Sequence, residues 1–230
     1  MEIRILQLVE GARAARGLTV IIDVFRAMTV EAYLAEMGAV HIYPVGDQEI
    51  AYAYKRAHPE AVLVGERGGV MLPGFDFGNS PSQIKRGELK GRTVIHTTSA
   101  GTQGLANASG ADEILTGCLA NADAVARYIR RRQPEVVSLV CMGLGARHPI
   151  EEDTLCAEYI RSLLEGKPLD VAAQIPHLQA TSGAKFFDPA RQEVFPEEDF
   201  WLSVETGRFD FVQKLAVGEG GMAESVRIPV

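Results

Sequence analysis

Asp23 closes the apolar run LTVIID (18–23), and Arg26 follows three residues later. A carboxylate at the end of a buried strand can hold a hard cation such as Mg2+, which takes oxygen ligands and keeps several waters. Asp23 would serve equally well as a cap for the next helix or as a partner for Arg26. Glu66 and Arg67 follow a second such run, AVLVG (61–65), directly. Glu66 suits a metal ligand or a general acid/base, and Arg67 can fork onto a phosphate or sulfonate. An internal Glu–Arg salt bridge is the plain alternative. These two residues open the stretch GERGGVMLPGFDFGNSP (65–81), which carries five glycines. A loop so composed gives up side-chain packing and lets a ligand approach its backbone. Asp76 suits metal binding or bracing of the loop through its own backbone. Asn79 is counted with the substrate-facing residues. A helix cap at Asn79 or Ser80, with Pro81 at the first helical position, is the simpler reading of that end.

The run HTTSAGTQG (96–104) lies where a strand turns into a helix. Thr97, Thr98, Ser99 and Thr102 supply hydroxyls, and Gly101 allows close backbone approach. Free N–H groups and the positive dipole end at a helix start favour an anion, most naturally phosphate. One ordinary cap would explain one hydroxyl, not four. Glu151, Glu152 and Asp153 open a later helix behind the turn MGLGARHP, where acidic residues usually complement the dipole. Arg147 and His148 on that turn are within reach of an anionic ligand. The five histidines show no zinc spacing, and GxSxG, GxxxxGK[ST] and a strand-linked GxGxxG are absent from the chain.

The elements that must position these residues alternate. Apolar runs at 18–23, 40–45, 61–65, 92–97, 112–117 and 136–143 read as strands. Helical spacing fills 28–38, 47–58, 121–133 and 151–166, with short helices after Ser80 and Thr98. Such alternation implies an α/β fold, a mainly parallel sheet with helices on both faces. Residues 1–166 read as the core that carries the site. Residues 167–230 read as a less regular C-terminal α/β portion packed on the same core, with PLDVAAQIPHLQAT as one further helix. Ligands of such sheets bind at the carboxyl ends of the strands. That is where the polar residues named above gather.

A net charge of −7 over 230 residues argues against nucleic acid or an anionic membrane as partner. It leaves room for a small cationic pocket. Three cysteines without CxxC spacing suit a reducing compartment, and no apolar run is long enough for a signal peptide or a spanning helix. A cytoplasmic protein without membrane or nucleic-acid partners is expected. A homodimer is compatible with the sequence, which does not decide it.

Four blocks occur in order: IIDVFRAMTV (21–30), GERGG with GFDFGNSP (65–81), HTTSAGTQG (96–104) and MGLGARHPIEEDTLCAEYI (142–160). Together they resemble the 2-phosphosulfolactate phosphatase family. Met28 and the pair Ser99–Ala100 depart from its pattern. The resemblance implies a Mg2+-dependent phosphatase that releases phosphate from 2-phosphosulfolactate to give 3-sulfolactate, a step of coenzyme M biosynthesis. A similar phosphorylated 2-hydroxy acid is the other substrate expected. On this reading Asp23 holds Mg2+ with one or more of Glu66, Asp76 and Asp153. Arg26 and Arg67 neutralise the substrate, and Thr97, Thr98, Ser99, Gly101 and Thr102 hold phosphate. The nucleophile is water or Asp23; the absence of DxDxT around Asp23 favours water. A non-catalytic sensor of a phosphorylated or sulfonated metabolite is the alternative from another class. A phosphotransferase or isomerase on the same scaffold is a third.

Overall fold

In the run Gly17–Ile22, Ile21 faces one hydrophobic core, while Val20 and Ile22 face a second. This two-sided burial is what period-2 alternation produces in a strand covered on both faces. The computed structural model describes residues 1–167 and 169–230. In chain order the first half runs β1 (Glu2–Gln7), α1 (Leu8–Ala14), β2 (Gly17–Ile22), α2 (Ala27–Glu36), β3 (His41–Pro44), α3 (Gln48–Ala57), β4 (Val62–Arg67), β5 (Val70–Met71) and α4 (Pro81–Lys85). It continues with β6 (Thr93–Thr97), α5 (Gly101–Asn107), β7 (Ala111–Gly117), α6 (Ala122–Arg132), β8 (Val136–Cys141) and α7 (Glu151–Glu165). The C-terminal portion holds α8 (Ile175–Ala180), α9 (Glu197–Val204), β9 (Phe211–Val217) and β10 (Ala223–Pro229).

The strands form two sheets, not the single sheet expected. The larger has the order β1-β8-β2-β7-β9-β10, and the smaller β3-β6-β4-β5. In the larger, β1, β8, β2 and β7 are parallel, and the hairpin β9–β10 joins antiparallel beside β7. In the smaller, β3, β6 and β4 are parallel, and β5 returns antiparallel on β4. The smaller sheet is an excursion of the chain between β2 and β7. His41 of β3 meets Glu224 of β10 at 2.8 Å, which ties the two sheet edges together.

Local chemistry sets the boundaries. Asp47 caps α3 by accepting the Glu49 N–H, and Ser80 caps α4 ahead of Pro81. Gly166 ends α7 in the left-handed conformation. The expected helix over PLDVAAQIPHLQAT begins at Pro168, which lies outside the described residues. The remainder forms a turn at Ala172–Gln174 and then α8. Phe186 and Phe200 from the C-terminal portion are fully buried beside Val20 and Ile22.

The glycine-rich stretch folds back on β4. Phe77 N–H bonds the Leu63 carbonyl at 3.1 Å, and Gly65 N–H bonds the Phe77 carbonyl at 3.1 Å. Two of its glycines are required by close approach. A Cβ on Gly65 would lie 2.1 Å from the Thr97 carbonyl oxygen, and one on Gly69 would lie 2.6 Å from Phe195 Cζ. The first neighbour is the backbone of β6 and cannot yield. Gly65→Ala should therefore lower stability by roughly 3 kcal/mol, at the upper end for overpacking. Urea unfolding of the purified variant checks this; a midpoint equal to the parent's would show that β4 and β6 can separate.

Candidate active site

The carboxyl ends of β2, β4, β6 and β8 open on one cleft of about 600 Å3. The exit of β2 brings Asp23, Phe25 and Arg26 to it, β4 brings Glu66, and the turn after β6 brings Ser99. Gly143–Gly145 after β8 and Glu152 in the first turn of α7 add to the wall. The C-terminal portion contributes Ser182, Lys185, Arg191 and Phe195 to the wall.

Three carboxylates line the cleft. Asp23 is 5% exposed and accepts the Ala27 N–H at 3.1 Å. Burial pushes its carboxyl up to about 6, and the charges of Glu66 and Glu152 push the same way. The N–H groups of Ala27 and Gly101 act against the shift. Glu152 is fully buried, and neither of its oxygens has a hydrogen-bond partner among the described residues. The Ser182 hydroxyl favours its charged form without coming to bonding distance. Burial raises the Glu152 carboxyl above its ordinary range. Glu66 is fully engaged: Oε1 accepts the Ser99 N–H at 2.7 Å, and Oε2 accepts the Gly69 N–H at 2.6 Å and the Ser99 hydroxyl at 3.0 Å. It thereby ties the glycine turn to the start of α5.

Three cations gather around the Phe195 ring. The Arg26 and Arg191 guanidinium carbons stand 4.7 and 4.6 Å from its centroid, and Lys185 Nζ stands 5.6 Å away. Lys185 Nζ is also 5.7 Å from the Phe25 ring and 5.4 Å from that of Phe186. Burial lowers the Lys185 ammonium from its usual range, and the Arg26 charge adds to this against the pull of Glu152 and Asp23. Arg26 is 3% exposed and bonds Asp199 Oδ2 at 2.8 Å and the Val194 carbonyl at 2.8 Å.

The structure separates the residues singled out in the sequence. Asp23, Arg26, Glu66, Asn79 and Ser99 line the cleft. Asp153 lies behind it. Its Oδ1 accepts the Val24 N–H and its Oδ2 the Gly143 N–H, each at 2.8 Å, so it fastens the exit of β2 to that of β8. Burial and the nearby Asp23 and Glu152 charges hold its carboxyl well above the ordinary value. Asp76 faces elsewhere, accepting the Leu63 N–H at 2.8 Å and pairing with Lys55 at 3.3 Å. That is the bracing role. Arg67 donates to the Glu66 carbonyl at 2.7 Å, the Gly46 carbonyl at 3.2 Å and Thr97 Oγ1 at 2.9 Å, and it does not line the cleft.

The four hydroxyls of HTTSAGTQG form no common nest. Thr98 and Thr102 satisfy each other across the first turn of α5: Thr98 N–H bonds Thr102 Oγ1 at 2.9 Å, and Thr102 N–H bonds Thr98 Oγ1 at 3.2 Å. Thr97 is taken by Arg67 and Ser99 by Glu66. The Gly101 N–H serves Asp23. Arg147 and His148 close their own turn, through the Leu144–His148 bridge, and are not among the lining residues. Lys185, Arg191 and Phe195 are the cleft residues the sequence did not disclose. Their one signal is the mixture of aromatics and cations in AKFFDPARQEVF.

Among the described residues, no three Asp, Glu, His or Cys side chains converge closely enough for an all-protein metal site. The donor set still fits Mg2+, which binds through one or two carboxylates and completes its shell with water and substrate phosphate. The unpartnered Glu152 oxygens beside Asp23 are what such an ion would satisfy.

Acids and cations sharing one cleft at the ends of parallel strands define an α/β enzyme site for a small anion. A family profile described as 2-phosphosulpholactate phosphatase matches residues 3–187. A probable 2-phosphosulfolactate phosphatase of Bacillus subtilis is 31% identical over 217 residues, 94% of this chain and 94% of that protein. One from Carboxydothermus hydrogenoformans is 40% identical over 156 residues, 67% of this chain and 64% of that protein. The chain belongs to the 2-phosphosulpholactate phosphatase family and is a phosphoric monoester hydrolase. No helix among the described residues is long and apolar enough to cross a membrane.

Asp199 holds this cleft together, since it pairs with Arg26 while its Oδ1 accepts from the Ser80 hydroxyl at 2.8 Å and the Ser82 N–H at 2.9 Å. Asp199→Ala should cost about 3–5 kcal/mol, the range for stranding one member of a buried ion pair. Chemical unfolding checks it; a loss within that of a surface substitution would contradict the pairing.

Proposed function

We propose that this protein hydrolyses 2-phosphosulfolactate, or a phosphorylated 2-hydroxy acid with a similar second anion, and requires Mg2+. The observation that carries the reading is the division of the cleft into an acidic side, Asp23 and Glu152, and a cationic corner, Arg26, Lys185 and Arg191. A substrate with two anionic groups has complementary charge at both. Asp23 and Glu152 would hold Mg2+, and the ion supplies charge neutralisation at the phosphoryl group. The cationic corner would take the sulfonate or carboxylate and fix the ester for in-line displacement. Water adds to phosphorus and leaves its proton on the released phosphate, the ester P–O bond breaks, and the departing alkoxide takes up a proton. The Lys185 ammonium, which burial makes a readier donor than usual, is suited to give that proton. Asp23, held by the Ala27 N–H group, is an oriented carboxylate in this scheme and water the nucleophile.

The test is phosphate release from a panel of phosphorylated 2-hydroxy acids, with and without Mg2+. Turnover of 2-phosphosulfolactate that vanishes with chelation is expected. Tight binding without release would favour a sensor. Lys185→Ala and Arg191→Ala should each raise KM at least tenfold for the doubly anionic substrate and far less for an aryl phosphate. Equal losses on both would remove these residues from substrate selection.

Asp23 also predicts a stability profile. Its folded pKa is raised from 3.8 to about 6. A raised carboxyl contributes stability that is full below the unfolded pKa and is lost as pH rises through the folded one. The metal-free protein should therefore lose stability between pH 4 and pH 7, by at most about 3 kcal/mol from this group. Asp23→Asn should abolish turnover yet melt several degrees higher than the parent at pH 8 without Mg2+. Thermal melts at pH 5 and pH 8 read this; a variant with full activity would sink the assignment of Asp23.

A further inference from the structure

Behind the cleft lies a buried polar chain that the reaction scheme above does not use. Glu31 on α2 and His96 on β6 are both fully buried, and Asn79 is 7% exposed. Glu31 Oε1 stands 3.2 Å from His96 Nδ1, and His96 Nε2 stands 3.4 Å from Asn79 Oδ1. Asn79 lines the cleft. Glu31 Oε2 has no hydrogen-bond partner among the described residues. A buried carboxylate–imidazole pair is poor value for stability, because desolvation offsets much of the attraction and well-packed apolar residues do as well. Its geometry accounts for it in another way.

Where Glu31 accepts from Nδ1, Nε2 alone decides how Asn79 is set. Asn79 then has two settings. If Nε2 also donates, Asn79 turns its carbonyl oxygen inward and its amide NH2 is left for the cleft. If Nε2 is bare, the amide turns over and offers the cleft an acceptor. The inward Oδ1 corresponds to the first setting. A donor suits an anionic substrate oxygen; an acceptor would repel it.

We infer that Glu31 and His96 are positioning residues that fix Asn79 with its amide NH2 toward the cleft, as a hydrogen-bond donor to an anionic oxygen of the substrate. The inference rests on the phosphatase reading given above and deepens it by setting the chemistry of one wall of the substrate site.

The test is a double-mutant cycle on Glu31→Gln and Asn79→Ala, assayed on 2-phosphosulfolactate with Mg2+. Glutamine keeps the shape and an acceptor but replaces one carboxyl oxygen with an NH2, so the ring is no longer held in one setting. Glu31→Gln should raise KM roughly tenfold, as expected for loss of one hydrogen bond to a charged group, with kcat within threefold and melting unchanged or higher. Asn79→Ala should show a similar rise, and the double variant should be no worse than Asn79→Ala alone. Additive losses, or a folded Glu31→Gln variant with KM within twofold of the parent, would overturn the inference. A purely structural role would instead lower melting and leave KM alone. Should Glu31→Gln not fold, the imidazole 15N resonances of the wild-type chain decide: a protonated Nε2 on the solvent-protected His96 upholds the inference, and a bare one overturns it. Wild-type enzyme that binds 2-phosphosulfolactate without releasing phosphate would overturn the catalytic reading alone. The same cycle is then read on Kd. No wild-type binding would overturn both.

Discussion

The cleft depends on one buried carboxylate, Asp199. It meets the Arg26 guanidinium with one oxygen, and the Ser80 hydroxyl and Ser82 N–H with the other. Those groups belong to the exit of β2, the end of the glycine-rich loop and the start of α4, while Asp199 itself sits on α9. Three segments far apart in sequence are thereby joined at one fully buried charge. A buried ion pair adds little net stability, but breaking one is expensive, so it fixes geometry more than it adds free energy. Through this contact the C-terminal portion closes over the carboxyl ends of the strands, and Lys185, Arg191 and Phe195 come with it.

The opposite constraint acts on the acids. Asp23, Glu152 and Asp153 are all desolvated, and each is pushed toward its neutral form by burial. Asp153 is compensated by two backbone N–H groups and serves the architecture. Asp23 has partial compensation, and Glu152 has none within bonding distance. Charge left uncompensated in a cleft costs folding free energy and is expected where a site is complementary to something cationic. The cationic corner is treated differently: Arg26 is paired with Asp199, while Lys185 and Arg191 lie against aromatic rings, which accommodate a cation without neutralising it and leave it available to an anion. The cleft thus combines acids whose ionised form burial disfavours with cations that π faces accommodate.

Much of this fold is legible in the sequence because its central strands are buried on both faces and read as unbroken apolar runs. β1 is not: it is a partly exposed edge strand, EIRILQ, whose alternation mixes charge with isoleucine. The division into two sheets is also hidden, since a run shows that a strand exists and not which strand it pairs with. In the site, Asp23, Arg26 and Glu66 are legible because strand ends point them out. Thr97, Thr98 and Thr102 mislead because a hydroxyl at a helix start satisfies the backbone as readily as a ligand. Glu152 and Asp153 are neighbours on one helix, about 100° apart around it, so composition alone cannot tell which faces the cleft. Lys185 and Arg191 sit in irregular turns without periodicity, and only tertiary contact through Asp199 and Phe195 brings them in.

On the proposed function, the second anion of the substrate is held by Arg26, Lys185 and Arg191, not by the hydroxyl run at the start of α5. A crystal structure with 3-sulfolactate and Mg2+ tests it most directly. Sulfonate oxygens are expected within hydrogen-bond distance of at least two of those three cations, with Mg2+ at Asp23 and Glu152. A sulfonate seated on Thr97, Thr98 and Thr102, with the Phe195 corner empty, would contradict it.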